Sequence, residues 1–333
     1  MRVRITQIDG KLPNLALMRL AAWHRDLGDE IVFSRSVEHH ATDGGFDVVY
    51  GSAIFKFSSA KTERFKENFP GAILGGTGTD SAFVVEDIVP PGFTGLDYSL
   101  YPDYAPSLGF TQRGCRLKCK FCIVPSKEGG NRDVGTVADI WRGAGHPKKL
   151  HLLDNDFFGQ PREQWQARVR EINDGGFRVC LNQGINVRLI DDEAAAALAS
   201  MQYRDDQFQK RRLYTAWDNL KDEKVFFRGV DMLERAGIPA KHIMVYMLVG
   251  FAPDETWERA LYRFDRMVER GLLPYPMVFD RTRKDLKHFQ RWVVTGLYRA
   301  VSFADYRPWI SSPEGLAWWN ATAVDPLIGD VAV

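Results

Sequence analysis

Three of the four cysteines in the chain lie in GCRLKCKFCIVP, residues 114–125. They are Cys115, Cys119 and Cys122, spaced C-x3-C-x2-C. Thiolates are soft metal ligands, and a loop that carries three of them can wrap a compact inorganic core. Three protein ligands leave one corner of a four-cornered site free. A structural zinc site is closed by four ligands, whereas an open position marks catalysis. A closed zinc site here would need its fourth ligand from far along the chain, with His151 or Cys180 as candidates. Structural zinc sites usually show paired C-x2-C or C-x2-C…H-x3-H, and no second pair exists.

The totals frame that centre. Four cysteines with three clustered make no disulfide framework, and thiols kept for a metal point to a reducing cytoplasm. The 333 residues are 45% hydrophobic and 26% charged, the composition of a soluble globular enzyme. Lys plus Arg number 44 against 43 Asp plus Glu, so no global basic field indicates nucleic acid. Two local basic runs stand out, QKRRL (209–213) and DRTRKDLKHFQR (280–291). The commoner reading of such a run is a solvated helix face; the second could also meet a phosphate-bearing ligand. The start, MRVRITQID, has no apolar leader, and the longest apolar run, residues 244–251, is far short of the roughly 20 residues a bilayer takes. No membrane association is expected.

The elements that must position the cysteines follow a regular beat. Residues 1–80 alternate strand and helix and predict a small doubly wound, Rossmann-like α/β domain. Residues 81–107 are rich in Pro, Gly and Tyr and read as a linker packing against both neighbours. From 108 to 303 six strands are predicted: 108–114, 148–155, 177–184, 212–218, 242–250 and 273–280. Helical patterns follow each: 135–145, 161–174, 191–201, 223–237, 255–271 and 286–301. Six βα units fall short of the eight that close a full barrel, so the fold class expected is α/β, a partial (βα)6 TIM-like barrel after the small domain. The aromatic tail, 304–333, is expected to pack on the barrel.

C-x3-C-x2-C after the first strand of a six-unit βα region, with the aromatic Phe121 before the last cysteine, resembles the radical S-adenosylmethionine (radical SAM) superfamily. The resemblance covers about residues 105–285. It implies that Cys115, Cys119 and Cys122 hold a [4Fe–4S] cluster whose free iron chelates S-adenosylmethionine (SAM). Reductive cleavage of SAM would then give a 5′-deoxyadenosyl radical that abstracts a hydrogen atom. By the same resemblance Asp154, Asn155 and Asp156 lie near the SAM amino group. Asn182, Gln183 and Arg188 hold its ribose and carboxylate, and the backbone at Val249 and Gly250 runs along its adenine. Each has a plainer reading beside it: a helix cap for Asn155 or Asp156, a salt bridge to Asp191 or Asp192 for Arg188, an ordinary buried strand for 246–251. Trp217 and Asp218 are expected to face the same mouth. The resemblance also implies an electron donor such as flavodoxin or ferredoxin.

Departures from the pattern narrow the reading. RGC…CKFCIVP looks closest to members with an N-terminal cobalamin-binding-like domain and to methylthiotransferases. The latter carry three further cysteines ahead of the motif, and this chain has none before Cys115. Cys180 lies inside a predicted strand and is read as a buried inert thiol. The turn IDGKLPN (8–14) lacks the histidine many cobalamin domains place there, and GGTGTD (75–80) offers only a glycine turn for a cofactor tail. Cobalamin is therefore permitted but not favoured. The alternatives kept open are a cobalamin-dependent methyltransferase of the same superfamily and a non-catalytic iron–sulfur or zinc module. His24 is read as ordinary surface.

Overall fold

In the computed structural model, residues 1–306 are described; the tail expected to pack on the barrel falls, from 307 on, outside the described residues. Two compact units result, Met1–Ala105 and one that begins at Pro106.

The first unit alternates β1 (Arg2–Gln7), α1 (Leu15–Asp26), β2 (Glu30–Ser34), β3 (Val48–Ser52), α2 (Ser59–Asn68) and β4 (Ile73–Gly75). Its strands form one parallel sheet in the order β2-β1-β3-β4. Side chains alternate across a sheet, so each face needs its own cover. Val3, Ile5 and Tyr50 pack with Leu17, Met18 and Ala21 of α1. On the other face Phe65 of α2 packs with Ile8 and Leu74. Gly51 lies under α2, where a Cβ would come 2.5 Å from the Phe65 ring. The stretch read as a linker supplies Val89, Leu100 and Tyr101 to the α1-side core. His24, expected at the surface, is buried, with Asp29 at 2.7 Å and the Tyr50 hydroxyl at 3.1 Å. The reason is its place on the stripe Leu17, Leu20, Ala21, His24, which α1 turns inward.

The second unit runs β5 (Ser107–Gly109), β6 (Gln112–Arg113), α3 (Val124–Lys127), β7 (Arg132–Asp133), α4 (Val137–Ile140), β8 (Lys149–Leu152), α5 (Arg162–Asp174), β9 (Arg178–Leu181), α6 (Asp192–Ser200) and β10 (Gln202–Tyr203). It continues with β11 (Leu213–Ala216), α7 (Glu223–Arg235), β12 (Ile243–Val249), α8 (Trp257–Glu269), β13 (Leu273–Val278), α9 (Lys284–Val294) and α10 (Phe303–Tyr306). Two parallel sheets form, β5-β8-β9-β10 and β11-β12-β13. Ile185 bridges them: its N–H donates to the Tyr214 carbonyl at 2.8 Å, and its carbonyl accepts from the Thr215 hydroxyl at 2.9 Å. The architecture is α/β with parallel sheets.

One set of strand side chains, including Leu150, Val179, Val245 and Met247, packs with Trp165, Phe226, Phe264 and Phe289 from the helices. The alternate set, Cys180, Tyr214, Tyr246 and Tyr275, forms a separate cluster with Phe208. Trp217, expected at the mouth beside Asp218, belongs to the helix side, stacked on Phe226 at 5.1 Å. The helix predicted over 135–145 shrinks to α4. Thr136 and Asp139 cap it, Trp141 is already extended, and Gly143 and Gly145 take φ of 90° and 94°. Among the described residues no helix is long and apolar enough to cross a membrane.

Candidate metal centre

The cysteines do not follow β5 directly. The chain first makes β6, loops out through them, and returns as β7. Antiparallel pairs Gln112↔Asp133 and Arg113↔Arg132 close the base of the loop. Gly114 opens it with φ 81°, and a Cβ there would sit 2.1 Å from the Gly130 carbonyl oxygen, so the close approach requires glycine. The Gln112 amide then ties the base together. Its Nε2 donates to the Gly114 carbonyl at 2.7 Å and to Asn131 Oδ1 at 2.8 Å, and its Oε1 accepts the Asp156 N–H at 2.9 Å.

The three polar residues after β8 are committed to this loop. Asp156 is buried and paired with Arg116, Nε–Oδ2 2.8 Å and Nη2–Oδ1 3.1 Å, next to Cys115. Asn155 donates to Glu128 Oε2 at 2.8 Å, and Glu128 also holds Arg113 at 2.9 Å. Asp154 is buried and accepts the N–H groups of Thr111 at 2.7 Å and Gln112 at 3.2 Å, plus the Thr111 hydroxyl. Burial pushes its carboxyl up to about 7 even though those hydrogen bonds pull it down. These side chains therefore fasten the cysteine loop to the sheet.

The sulfurs are half-buried. The Leu117 N–H points at Cys115 Sγ at 3.4 Å, and the Val124 N–H bonds Cys122. Burial pushes the Cys115 and Cys122 thiols up; these N–H bonds oppose it, and nearby carboxylates and the other cysteines add to it. Thiols that raise one another in this way ionise together only when a cationic centre compensates them. Arg188 contributes a permanent cation: it pairs with Asp222 at 2.8 Å and hydrogen-bonds Cys119. Its expected alternative partners are engaged elsewhere, Asp191 capping α6 at Ala194 and Asp192 pairing with Arg235. Among the described residues no group of three or more His, Cys, Asp or Glu side chains converges as a ready-made ion site. What fits an iron–sulfur cluster is the donor set: three soft sulfurs on one loop, N–H groups aimed at two of them, and an arginine at the third.

The ends of the later strands meet the same loop. Phe121 contacts Phe251 at 5.5 Å, and Phe251 contacts Phe279 at 4.9 Å, so the segments after β12 and β13 reach it through one line of rings. Asp218 accepts the Leu248 N–H at 2.9 Å; burial holds its carboxyl above the usual range, and its charge is felt at Cys122. Gly250, with φ 81°, donates to Glu255 at 2.9 Å, and a Cβ there would come 2.3 Å from Leu286. The Val249 carbonyl accepts the Phe279 N–H at 3.0 Å.

One organiser escaped the sequence reading. Arg263 on α8 is 1% exposed and donates to the carbonyls of Trp217 (2.9 Å), Asp218 (3.1 Å) and Leu248 (3.0 Å), and to Glu255. It locks the ends of β11 and β12 together. A single arginine on an amphipathic helix gives no periodic signal of burial, so nothing in the sequence marks it.

Asn182 is buried and pairs through its side chain with His151, while its carbonyl accepts from Tyr246 at 3.2 Å. Burial pushes His151 down to about 4. Gln183 is half-buried, and its amide makes no hydrogen bond to the described residues. Cys180 is fully buried, in register with His151 across β8 and β9; burial pushes its thiol well above the normal range.

In the first unit the turn 75–80 is occupied by the chain itself. Cβ atoms at Gly76 and Gly78 would lie 2.2 Å from the Ala53 carbonyl and 2.5 Å from the Phe55 nitrogen. The Gly78 N–H donates to Ala53 at 2.9 Å and the Thr79 N–H to Gly76 at 3.3 Å. Asp9 takes the N–H groups of Ile54 at 2.8 Å and Phe55 at 3.0 Å.

A scan of protein-family models finds no match to this chain, and searches of curated proteins and of solved structures likewise find none.

Proposed function

We propose that the chain is a radical SAM enzyme. On this reading Cys115, Cys119 and Cys122 hold a [4Fe–4S] cluster and the second unit is a partial (βα)6 barrel. The first unit is a Rossmann-like domain. The observation that carries the reading is convergence on one three-cysteine loop. Segments following four parallel strands reach it, Asp156 after β8, Arg188 after β9, Asp218 after β11 and Phe251 after β12, and Phe279 after β13 packs on Phe251 behind them. In parallel α/β folds the carboxyl ends of the strands carry the chemistry. Two parallel sheets of four and three strands, each in chain order, with helices on one side and a tyrosine-rich cluster on the other, support the barrel.

When bound, the cluster supplies one electron for the cleavage of SAM and so yields a 5′-deoxyadenosyl radical that takes a hydrogen atom from the substrate. The chain's own residues prepare that event. The three thiolates ligate and leave one corner open. Arg188 hydrogen-bonds Cys119, and backbone N–H groups bond the sulfurs of Cys115 and Cys122. Phe121 and Phe251 pack edge to face beside the loop. Gln183, whose amide makes no hydrogen bond to the described residues, is the polar side chain after β9 assigned to SAM on this reading. Asp154, Asn155 and Asp156 act one step back, as anchors of the loop.

The test is SAM cleavage. The protein is reconstituted anaerobically with iron and sulfide, reduced with dithionite, given SAM, and assayed for 5′-deoxyadenosine by mass spectrometry. Product is expected from the wild type and not from the Cys115→Ala/Cys119→Ala/Cys122→Ala variant. Equal yields from the two proteins would remove the proposal.

A further inference from the structure

The strands of the second unit turn one face to the helices and the other to the tyrosine cluster. On that second face, among the described residues, no Lys, Arg, Asp or Glu stands between the cluster and the strand ends. The floor is Cys180, Tyr214, Tyr246 and Tyr275, with His151 in register beside Cys180. Burial pushes the Cys180 thiol and the Tyr214 and Tyr246 phenols up and His151 down to about 4, so these groups are neutral at pH 7. Residues two apart on a strand share a face, which makes Asn182, Ala216, Leu248 and Met277 the next layer toward the carboxyl ends. The last three are half-buried, and Ala216 and Met277 pack on the cluster. Asn182 spends its side chain on His151 and its carbonyl on Tyr246. Past this layer, the segments carrying Cys122, Arg188 and the end of β13 expose Ile123, Leu189 and Phe279. The arginines there are committed: Arg188 to Asp222 and Cys119, Arg116 to Asp156, and Arg263 to carbonyls and Glu255. Asp218, two residues past Ala216, adds an acid and no cation. Lys118 and Lys120 of the cysteine loop are exposed to solvent, and Lys149 stands at the amino end of β8, its Nζ 5.6 Å from the Phe208 ring.

We propose that the substrate lays a neutral, apolar group, an alkyl or aryl chain, on this face, and that the face rejects phosphate and carboxylate. An ionised group buried there would lose its water and meet no partner, a cost that apolar contact does not offset. An apolar chain instead trades water for Ala216, Leu248 and Met277 and for neutral ring faces below them. The inference rests on the radical SAM reading for the chemistry that follows. There a C–H bond of the bound chain breaks, and its hydrogen atom forms a new C–H bond on the 5′-deoxyadenosyl radical. The products are 5′-deoxyadenosine and a carbon radical on the chain, with one unpaired electron before and after.

The experiment uses the reconstituted full chain and three probes that share one perdeuterated chain: 1-octanol, octanoate and octyl phosphate. Equilibrium dialysis is expected to show saturable binding of octanol, at least tenfold tighter than either anion. Met277→Lys should weaken octanol at least tenfold and tighten octyl phosphate. Ala216→Phe, which fills the face without charging it, should weaken octanol and leave the anions as weak as before. Iron content in both variants should match the wild type, which checks that they fold. With SAM and dithionite, deuterium from the octanol chain is expected in 5′-deoxyadenosine. An anion that binds as tightly as octanol, octanol uptake that does not saturate or ignores both substitutions, or SAM cleavage without deuterium transfer from bound octanol would overturn the proposal. Dialysis reads the face whether or not a cluster forms. A wild type that selects octanol but never yields 5′-deoxyadenosine would sink the radical SAM reading and leave the preference of the face standing.

Discussion

Two loops at the ends of parallel strands invite comparison: the glycine turn 75–80 of the first unit and the cysteine loop 114–131 of the second. Both follow short strands, and both open on a glycine that no side chain could replace, Gly76 in one and Gly114 in the other. They differ in what is left over. In the glycine turn the backbone N–H groups of Gly78 and Thr79 are spent inside the chain, and Asp9 fills the neighbouring N–H groups of Ile54 and Phe55. In the cysteine loop the anchoring is done by side chains at the base and behind it, and the three sulfurs only accept from nearby donors. Position at a strand end is thus common to both. What separates a candidate site from a structural turn is whether the polar groups are already used.

The comparison can be broken first through its buried arginines. Arg263→Met would leave three carbonyls and Glu255 without their donor, and about 3–5 kcal/mol of stability should be lost in denaturant unfolding. Arg4→Met in the first unit should cost less, about 1–3 kcal/mol. Its ion-pair partner Asp43 keeps 21% of its side chain in water and can rehydrate. Equal losses would mean that the strand ends of the second unit are no more tightly organised than those of the first.

The anchors give the next contrast. Asp156→Ala frees Arg116 and the base of the cysteine loop, and iron per chain after reconstitution should fall by more than half. Asp9→Ala should leave iron content unchanged. An Asp156 variant that loads iron normally would show that the loop is ordered by the metal rather than by this pair.

The last contrast is a pH dependence. The folded Asp154 carboxyl is raised to about 7 from an ordinary value near 4. The fold therefore holds that proton more tightly than the unfolded chain does. Its contribution to stability is full below about pH 4 and is lost as pH rises through about 7. Relative to Asp154→Asn, the wild type should lose on the order of a few kcal/mol of unfolding free energy between pH 4 and pH 7. Parallel curves for the two proteins across that window would contradict it.

The sequence carried the rhythm of the fold well and its exceptions poorly. All six strands expected in the second unit correspond to β5, β8, β9, β11, β12 and β13, because buried parallel strands are continuous apolar runs that alternate with amphipathic helices. β6 and β7 are two residues each, too short to show any period, so the hairpin around the cysteines was invisible. Trp217 read as a mouth residue because face cannot be assigned near a strand end without its neighbours; its ring turned to α7. His24 and Arg263 are polar residues on inward helix stripes, which polarity alone places outside. For the candidate site, the clustering of the three cysteines on one loop was legible from their spacing; Arg188, expected at the ribose and carboxylate of SAM, is found on Asp222 and Cys119. The anchoring roles of Asp154, Asn155 and Asp156 were not legible, since their partners lie 43, 27 and 40 residues away in the chain.

The central claim is that the three-cysteine loop holds a cluster whose open corner takes SAM. Electron paramagnetic resonance of the anaerobically reconstituted, reduced protein, recorded with and without SAM and alongside metal analysis, tests it most directly. The account predicts close to four irons per chain and a reduced-cluster signal whose g-values shift when SAM is added. Zinc in place of iron, or a cluster signal that SAM leaves untouched, would contradict it.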